Sequence, residues 1–293
     1  MTTISELHIY PIKSLGGISV SEVIVERKGF RYDRRFMLVS SQGGFMTQRA
    51  YPQMALIDVA IVDAPAGDKV LHVWHRHHPE NILELTLQPS ASVSTECILV
   101  DIWDSKDVPA ITVNNEADNW FSAVLNIPCR LVYMPESTYR AVDEKYARDN
   151  DAVSFADGYP YLLIGQASLD NLNQRLPEPI SMLRFRPNIV VSNSEPYEED
   201  AWEHFRINDL DFYGVKPCAR CVLTTIDPET GQSGKEPLRT LARYRQWKHK
   251  ILFGQNVLAE SFTNEPVVGV LRVGQSVEVV SRCEPWLAPP VSV

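Results

Sequence analysis

Lys216-Pro217-Cys218-Ala219-Arg220-Cys221-Val222-Leu223-Thr224-Thr225-Ile226-Asp227-Pro228-Glu229-Thr230-Gly231 is the stretch on which the reading of this chain turns. Two thiols stand three residues apart, with Lys216 before them and Arg220 between them. The β-branched run Val222 to Ile226 predicts a strand, and Asp-Pro-Glu-Thr-Gly predicts the turn that ends it. Cations near a thiol lower its pKa, so a thiolate here would serve as a soft-metal ligand or a nucleophile. The residues alone leave three readings open. A thioredoxin-like redox pair should open a helix, whereas strand chemistry follows here. Half of a zinc site would need two more ligands. One buried cysteine beside an incidental one needs nothing more.

Working outward, 293 residues suffice for two modest domains or one large β-rich one. A hydrophobic content of 44% fits a globular protein with a real core. The net charge of −9 argues against a general nucleic-acid binder, which would carry a basic footprint. No run of about 18 apolar residues is present, so no membrane span is expected. Met1-Thr2-Thr3-Ile4-Ser5-Glu6-Leu7 has neither a basic start nor an apolar segment, which argues against secretion. The five cysteines (Cys97, Cys129, Cys218, Cys221, Cys283) are an odd number for a disulfide framework and suit a reduced, cytoplasmic setting.

Along the chain, Ile4 to Pro11 alternates as a half-buried strand and runs into Ile12-Lys13-Ser14-Leu15-Gly16-Gly17. A lysine and a hydroxyl at a strand-end turn suit a phosphate, though a solvated loop lysine reads the same way. Asp33-Arg34-Arg35-Phe36 places arginines just before an apolar strand, where a guanidinium fork suits phosphate. Short strands with turn residues between them continue to Trp103 and predict a barrel or sandwich. His72, His75, His77 and His78 keep no metal-ligand spacing, and His77 to Asn81 reads as an exposed loop. Helical spacing of Trp120, Phe121, Val124 and Leu125 follows a cap at Asn115. Pro135 to Asn150 is polar and reads as a functional flap or a mobile loop. Phe155 to Ile164 is a turn feeding an apolar strand, with a helix over Ser168 to Leu176. Leu183-Arg184-Phe185-Arg186-Pro187-Asn188-Ile189 puts Arg186 and Asn188 at one strand parity, a polar recognition face. Glu198 to Phe205 and Glu236 to Tyr244 read as helices, and strands at Val257 to Phe262, Val268 to Val270 and Val277 to Val280 close the chain.

The cysteine segment resembles that of MOSC domains, the molybdenum-cofactor sulfurase C-terminal family. The resemblance is strongest to the branch containing the mitochondrial amidoxime-reducing component and bacterial YcbX-type proteins. Tyr10-Pro11-Ile12-Lys13-Ser14, Asp33-Arg34-Arg35-Phe36, Ala156-Asp157-Gly158-Tyr159-Pro160-Tyr161-Leu162 and Phe185-Arg186-Pro187-Asn188-Ile189-Val190 are similar to further family strings. The resemblance implies an α+β, predominantly β fold: an N-terminal MOSC barrel over residues 1–122, a MOSC domain over 123–284, and a frayed tail over 285–293. It implies that Cys221 ligates molybdenum of the molybdenum cofactor and that Cys218 does not. Lys13, Ser14 and Arg35 would hold the cofactor's phosphate, with Arg34 the rival to Arg35 and Arg49 a further candidate. Asp157, Gly158, Tyr159, Arg186 and Asn188 would contact the pterin, with Tyr159 standing where some relatives carry serine. A family-level association with pyridoxal phosphate comes with it.

The implied function is a molybdenum-cofactor oxidoreductase that reduces N-hydroxylated compounds. YcbX-type relatives carry a fused C-terminal iron–sulfur domain, which Cys283 alone cannot build. Electrons are therefore expected from a separate ferredoxin-, flavin- or cytochrome-type protein. Two rivals stand beside this: a non-catalytic carrier of the cofactor or of sulfur as a Cys221 persulfide, and a cofactor-free relative that uses its barrel for partner contacts.

Overall fold

A computed structural model describes residues 1–64, 67–90, 95–148, 151–260 and 266–288. The fold is mostly strand, as expected. Its largest unit is a nine-stranded sheet. The order along it is Val277–Arg282, Trp202–Ile207, Leu210–Arg220, Lys250–Ala259, Tyr161–Gly165, Ile189–Ser192, Thr3–Ile9 and Ile18–Val20, with Gln246–Trp247 paired to Lys250–Ala259 off this path. Tyr161–Gly165 and Ile189–Ser192 run parallel, joined through the helix Gln166–Asn173. A parallel pair needs such a crossover, and the apolar run Tyr161-Leu162-Leu163-Ile164 is buried on both faces as that arrangement requires.

The first half of the chain builds smaller sheets. One joins Phe36–Ser40, Cys129–Tyr133, Ser105–Thr112 and Cys97–Ile102; another joins Ile57–Asp63, Lys69–His75 and His78–Thr86. Between them lies the helix Asn115–Leu125. Its cap is Asn114, one residue before the expected Asn115: the Asn114 side chain accepts from the Ala117 amide at 2.7 Å. Ala117, Phe121 and Leu125 recur every fourth residue on its buried face and join Phe36, Leu38 and Leu131 in one core. A second core forms around Leu7, Tyr161, Leu163, Trp202 and Phe205.

The expected boundary at residue 122 does not part the strands. Thr3–Ile9 pairs antiparallel with Ile189–Ser192, and Glu22–Glu26 pairs with Val267–Arg272. The two ends of the chain are therefore laced together by backbone hydrogen bonds, and the turn after Thr3–Ile9 is carried into the middle of the second unit.

Several local expectations change. Val222–Thr225 is a 3-10 helix, not a strand; the strand is Leu210–Arg220 ahead of it. The Thr224 and Thr225 hydroxyls donate back to the Cys221 and Val222 carbonyls at 3.0 and 2.7 Å, which favours a tight turn over an extended run. Glu198–Ala201 is a 3-10 turn that gives way to the strand Trp202–Ile207, with Trp202 fully buried. Only Leu238–Leu241 of the second expected helix is α-helical. His78 opens a strand instead of sitting in a loop, and no cluster of three or more His, Cys, Asp or Glu side chains placed to hold a metal ion exists among the described residues. Phe262 and residues 149–150 and 289–293, within expected elements, lie outside the described residues.

Candidate functional site

One cavity of about 260 Å³ lies where the turn after Thr3–Ile9 meets the end of Leu210–Arg220. Lys13, Ser14, Asp157, Gly158, Tyr159, Arg186, Asn188, Cys218 and Cys221 all line it, together with Arg34, Lys216, Arg220 and Lys250. Chain segments more than two hundred residues apart thus contribute to one wall.

Lys13 is buried, and its ammonium donates to the Phe155 carbonyl at 2.8 Å and to the Asp157 carboxylate. Burial pulls its pKa down to about 8, with Asp157 acting in the opposite sense. Asp157 itself opens to the cavity. The surrounding protein disfavours its charge, but Lys13, the Trp103 indole N–H and Arg34 hold the carboxyl well below the usual range. A Cβ on the adjoining Gly158 would meet nothing within 4 Å, so the wall there leaves room for a ligand.

Of the two adjacent arginines, Arg34 faces the cavity and Arg35 does not. Arg34 takes a left-handed backbone, φ 50°. Its guanidinium donates to Asp33 at 2.7 Å, to the Asn188 side-chain oxygen at 3.1 Å and to the Arg186 carbonyl at 3.2 Å. Arg35, just ahead of the strand Phe36–Ser40, points away from the cavity, where it meets Glu136 and lies 4.0 Å from Glu26. The left-handed turn at Arg34 sends the two neighbouring side chains in different directions, and only Arg34 lines the cavity. Arg49 is set back from the cavity, stacked 3.8 Å from the centre of the Trp103 ring, whose N–H holds Asp157.

Arg186 is not inside a strand either. It caps the 3-10 helix Met182–Phe185 in a left-handed conformation, φ 53°, and the strand starts at Ile189. One guanidinium nitrogen donates to the Leu15 carbonyl at 2.6 Å, while Nη2 is buried without a partner. Burial and neighbouring Arg34 push its pKa down to about 10. Ser14, Arg34 and Arg186 all sit at positive φ on this one wall. Such strain gathers at functional sites. Asn188 lines the cavity, yet its amide is already engaged: its oxygen takes Arg34 and its nitrogen donates to the His8 carbonyl at 3.2 Å.

Cys221 sits where Leu210–Arg220 gives way to the 3-10 helix, half-buried and bonded to no other cysteine. Arg220 donates to the Cys218 sulfur at 3.0 Å and to the Phe185 carbonyl at 2.7 Å, leaving its Nε buried without a partner. The expectation of a depressed thiol does not hold for Cys218, because burial pushes its pKa up despite Arg220.

Sequence reasoning missed three participants. Tyr10 lies under both guanidinium groups, 4.4 Å from Arg34 and 4.1 Å from Arg186. It stands inside the Tyr-Pro-Ile-Lys-Ser string, so a signal was available. Trp103 and Arg140 reach Asp157 from the first half of the chain and from a polar loop, where nothing local marks them. Of the segment Pro135 to Asn150, expected as a functional flap or a mobile loop, residues 135–148 are described: Thr138, Arg140 and Val142 are buried and Tyr146 meets the Tyr159 ring at 6.3 Å, while most of the others are exposed.

The charge balance indicates what the cavity fits. Lys216, Arg186, Arg220 and Lys250 have no carboxylate within ion-pair distance among the described residues, while Asp157 is the single acid on the lining. Unpaired cations in a protein wall are costly, and an anionic ligand would relieve them. A free thiol and phosphate-type donors on one lining suit an anionic ligand that carries a soft metal.

Comparison with known proteins places the chain in a family. The MOSC N-terminal beta barrel domain matches residues 1–128, and the MOSC domain matches residues 150–278. Mouse mitochondrial amidoxime-reducing component 1 is 32% identical over 96% of this chain and 83% of its own length. The human protein of the same name is 30% identical over the same shares. The chain belongs to the MOSC family. Rice molybdenum cofactor sulfurase is 33% identical over 94% of the chain, which spans 36% of that longer protein. The two MOSC units meet at the cavity: Lys13, Ser14 and Arg34 come from the N-terminal match, and Asp157, Arg186 and Cys221 from the MOSC match. No helix among the described residues is long and apolar enough to cross a membrane.

Proposed function

We propose that this MOSC protein is a molybdenum-cofactor oxidoreductase acting on N-hydroxylated compounds. The observation that carries the reading is the single cavity lined by Cys221 together with Lys13, Arg34, Arg186, Lys216, Arg220 and Lys250, a largely cationic wall that also presents a thiol. The similarity to amidoxime-reducing components supplies the substrate class. When bound, the molybdenum would supply oxygen-atom and electron chemistry at the sulfur. Cys221 would hold the metal. Lys13, Ser14 and Arg34 would hold the phosphate, Arg34 taking the part expected of Arg35. Asp157, Gly158, Tyr159 and Arg186 would meet the pterin, with Asp157 accepting from its N–H groups and Arg186 donating through the free Nη2. Asn188 would act through Arg34, since both ends of its amide are taken. Electrons would come from a separate protein, and the substrate is a small molecule.

Molybdenum measured per chain, in protein made in a cofactor-producing host, tests this. Near-stoichiometric metal is expected in the wild type and at least a tenfold loss in Cys221→Ser. Metal-free wild type would sink the proposal. Similarity to molybdenum cofactor sulfurase supports a second reading, a carrier that passes on the cofactor or a Cys221 persulfide. Turnover of an amidoxime with an added electron donor separates the two: the carrier reading requires release of cargo without turnover.

A further inference from the structure

The turn Ser154–Asp157 belongs to no helix or strand, yet it carries Asp157 into the cavity. Its four consecutive carbonyls are all satisfied by two cationic side chains. Lys13 takes Phe155. Arg140 takes the other three, with Nη1 donating to Ser154 at 2.7 Å and Ala156 at 2.6 Å, and Nη2 to Asp157 at 2.9 Å. The Nε of Arg140 donates to Ser105 Oγ at 3.0 Å, which ties the fork to the strand Ser105–Thr112. Arg140 is 5% exposed and has no carboxylate partner among the described residues. Every N–H of its guanidinium that the structure engages therefore serves this turn or its anchor. A cation is seldom buried on main-chain oxygens alone, because the desolvation is offset only when each donor is used.

We propose that Arg140 is the positioning residue for Asp157, holding the turn so that the carboxylate stands against Lys13 and faces the cofactor cavity. This rests on the reading above that Asp157 contacts the cofactor. The fork geometry is what the role requires. Three carbonyls curve around one planar group with donors in fixed directions, and a lysine ammonium, a point donor, can reach only part of that set. Without the fork, three buried carbonyls lose their donors and the turn opens toward water. Asp157 then leaves Lys13.

The test compares Arg140→Met and Arg140→Lys with Asp157→Ala and with the double variant Arg140→Met/Asp157→Ala. Phe121→Leu, in the distant helix, serves as a control for general destabilisation. In cofactor-free protein, hydrogen exchange over residues 152–160 should accelerate at least tenfold in Arg140→Met and less in Arg140→Lys. The Tyr161–Gly165 strand should stay protected, and Phe121→Leu should leave 152–160 unchanged. In protein made with cofactor, molybdenum per chain should fall at least fivefold in Arg140→Met, recover in part in Arg140→Lys, and fall no further in the double variant than in Asp157→Ala. Full metal content in Arg140→Met, additive losses in the double variant, or unchanged exchange over 152–160 would each overturn the proposal. Wild-type protein without molybdenum would overturn the functional reading instead, leaving the exchange experiment to decide the role of Arg140.

Discussion

Two arginines of the MOSC unit make opposite use of burial. Arg245 is fully buried and ion-paired with buried Asp200; its Nε donates to the Leu252 carbonyl at 3.1 Å, and its Nη1 has no partner. Arg186 sits on the cavity wall with one nitrogen unpartnered, no carboxylate partner among the described residues, and Arg34 beside it. The first charge has a carboxylate partner inside the fold. The second has none among the described residues. A polar group whose partners are all internal holds structure, and one left open toward a cavity marks where a ligand belongs.

The largest expected effect tests the ion-paired arginine of the two. Arg245→Ala strands Asp200 in the core and should cost roughly 3–5 kcal/mol of stability, read by denaturant unfolding. Arg186→Met should instead leave stability within about 1 kcal/mol of wild type, since it removes an uncompensated charge along with one hydrogen bond. Its cost should appear in cofactor retention. Loss of a charge-assisted hydrogen bond, roughly 1.5–3 kcal/mol, corresponds to about a tenfold to hundredfold fall in affinity. An Arg186→Met protein that unfolds easily yet keeps its molybdenum would reverse the comparison.

Proton chemistry sharpens it further. Burial brings Lys13 down to about 8, so in the free protein its charge is present below that pH and lost as pH rises through it. Affinity for an anionic ligand should therefore fall by up to about tenfold per pH unit above 8, and Lys13→Met should flatten that dependence. Inorganic phosphate titrated from pH 7 to 9.5 would show it. The smallest effect is expected at Cys218→Ser. Cys218 lies beside the metal candidate but its thiol is held up by burial, so molybdenum content should stay near that of wild type.

Much of the fold was legible because strand alternation and the helical spacing of Trp120, Phe121, Val124 and Leu125 follow from which faces must be buried; Phe121 and Leu125 are in the core and Trp120 and Val124 pack against it. The errors share a cause. Val222 to Ile226 has strand composition, but hydroxyl donations from Thr224 and Thr225 to local carbonyls make a 3-10 turn. Arg34 and Arg35 are adjacent and chemically equal, so only the direction of the backbone chooses between them. Arg140 was invisible for a further reason: its partners are main-chain carbonyls, which any sequence supplies.

By itself the sequence determined the family, the β-rich character and the residue types on offer, because those depend on composition, periodicity and strings of neighbouring residues. The tertiary structure alone decided which of those residues share a cavity. It paired Thr3–Ile9 with Ile189–Ser192 and so brought Lys13 to Asp157 and Arg186. Which side of each turn faces that cavity, and which cation is left without an acid, are set by long-range strand register, and a one-residue change in register sends a side chain to the opposite face.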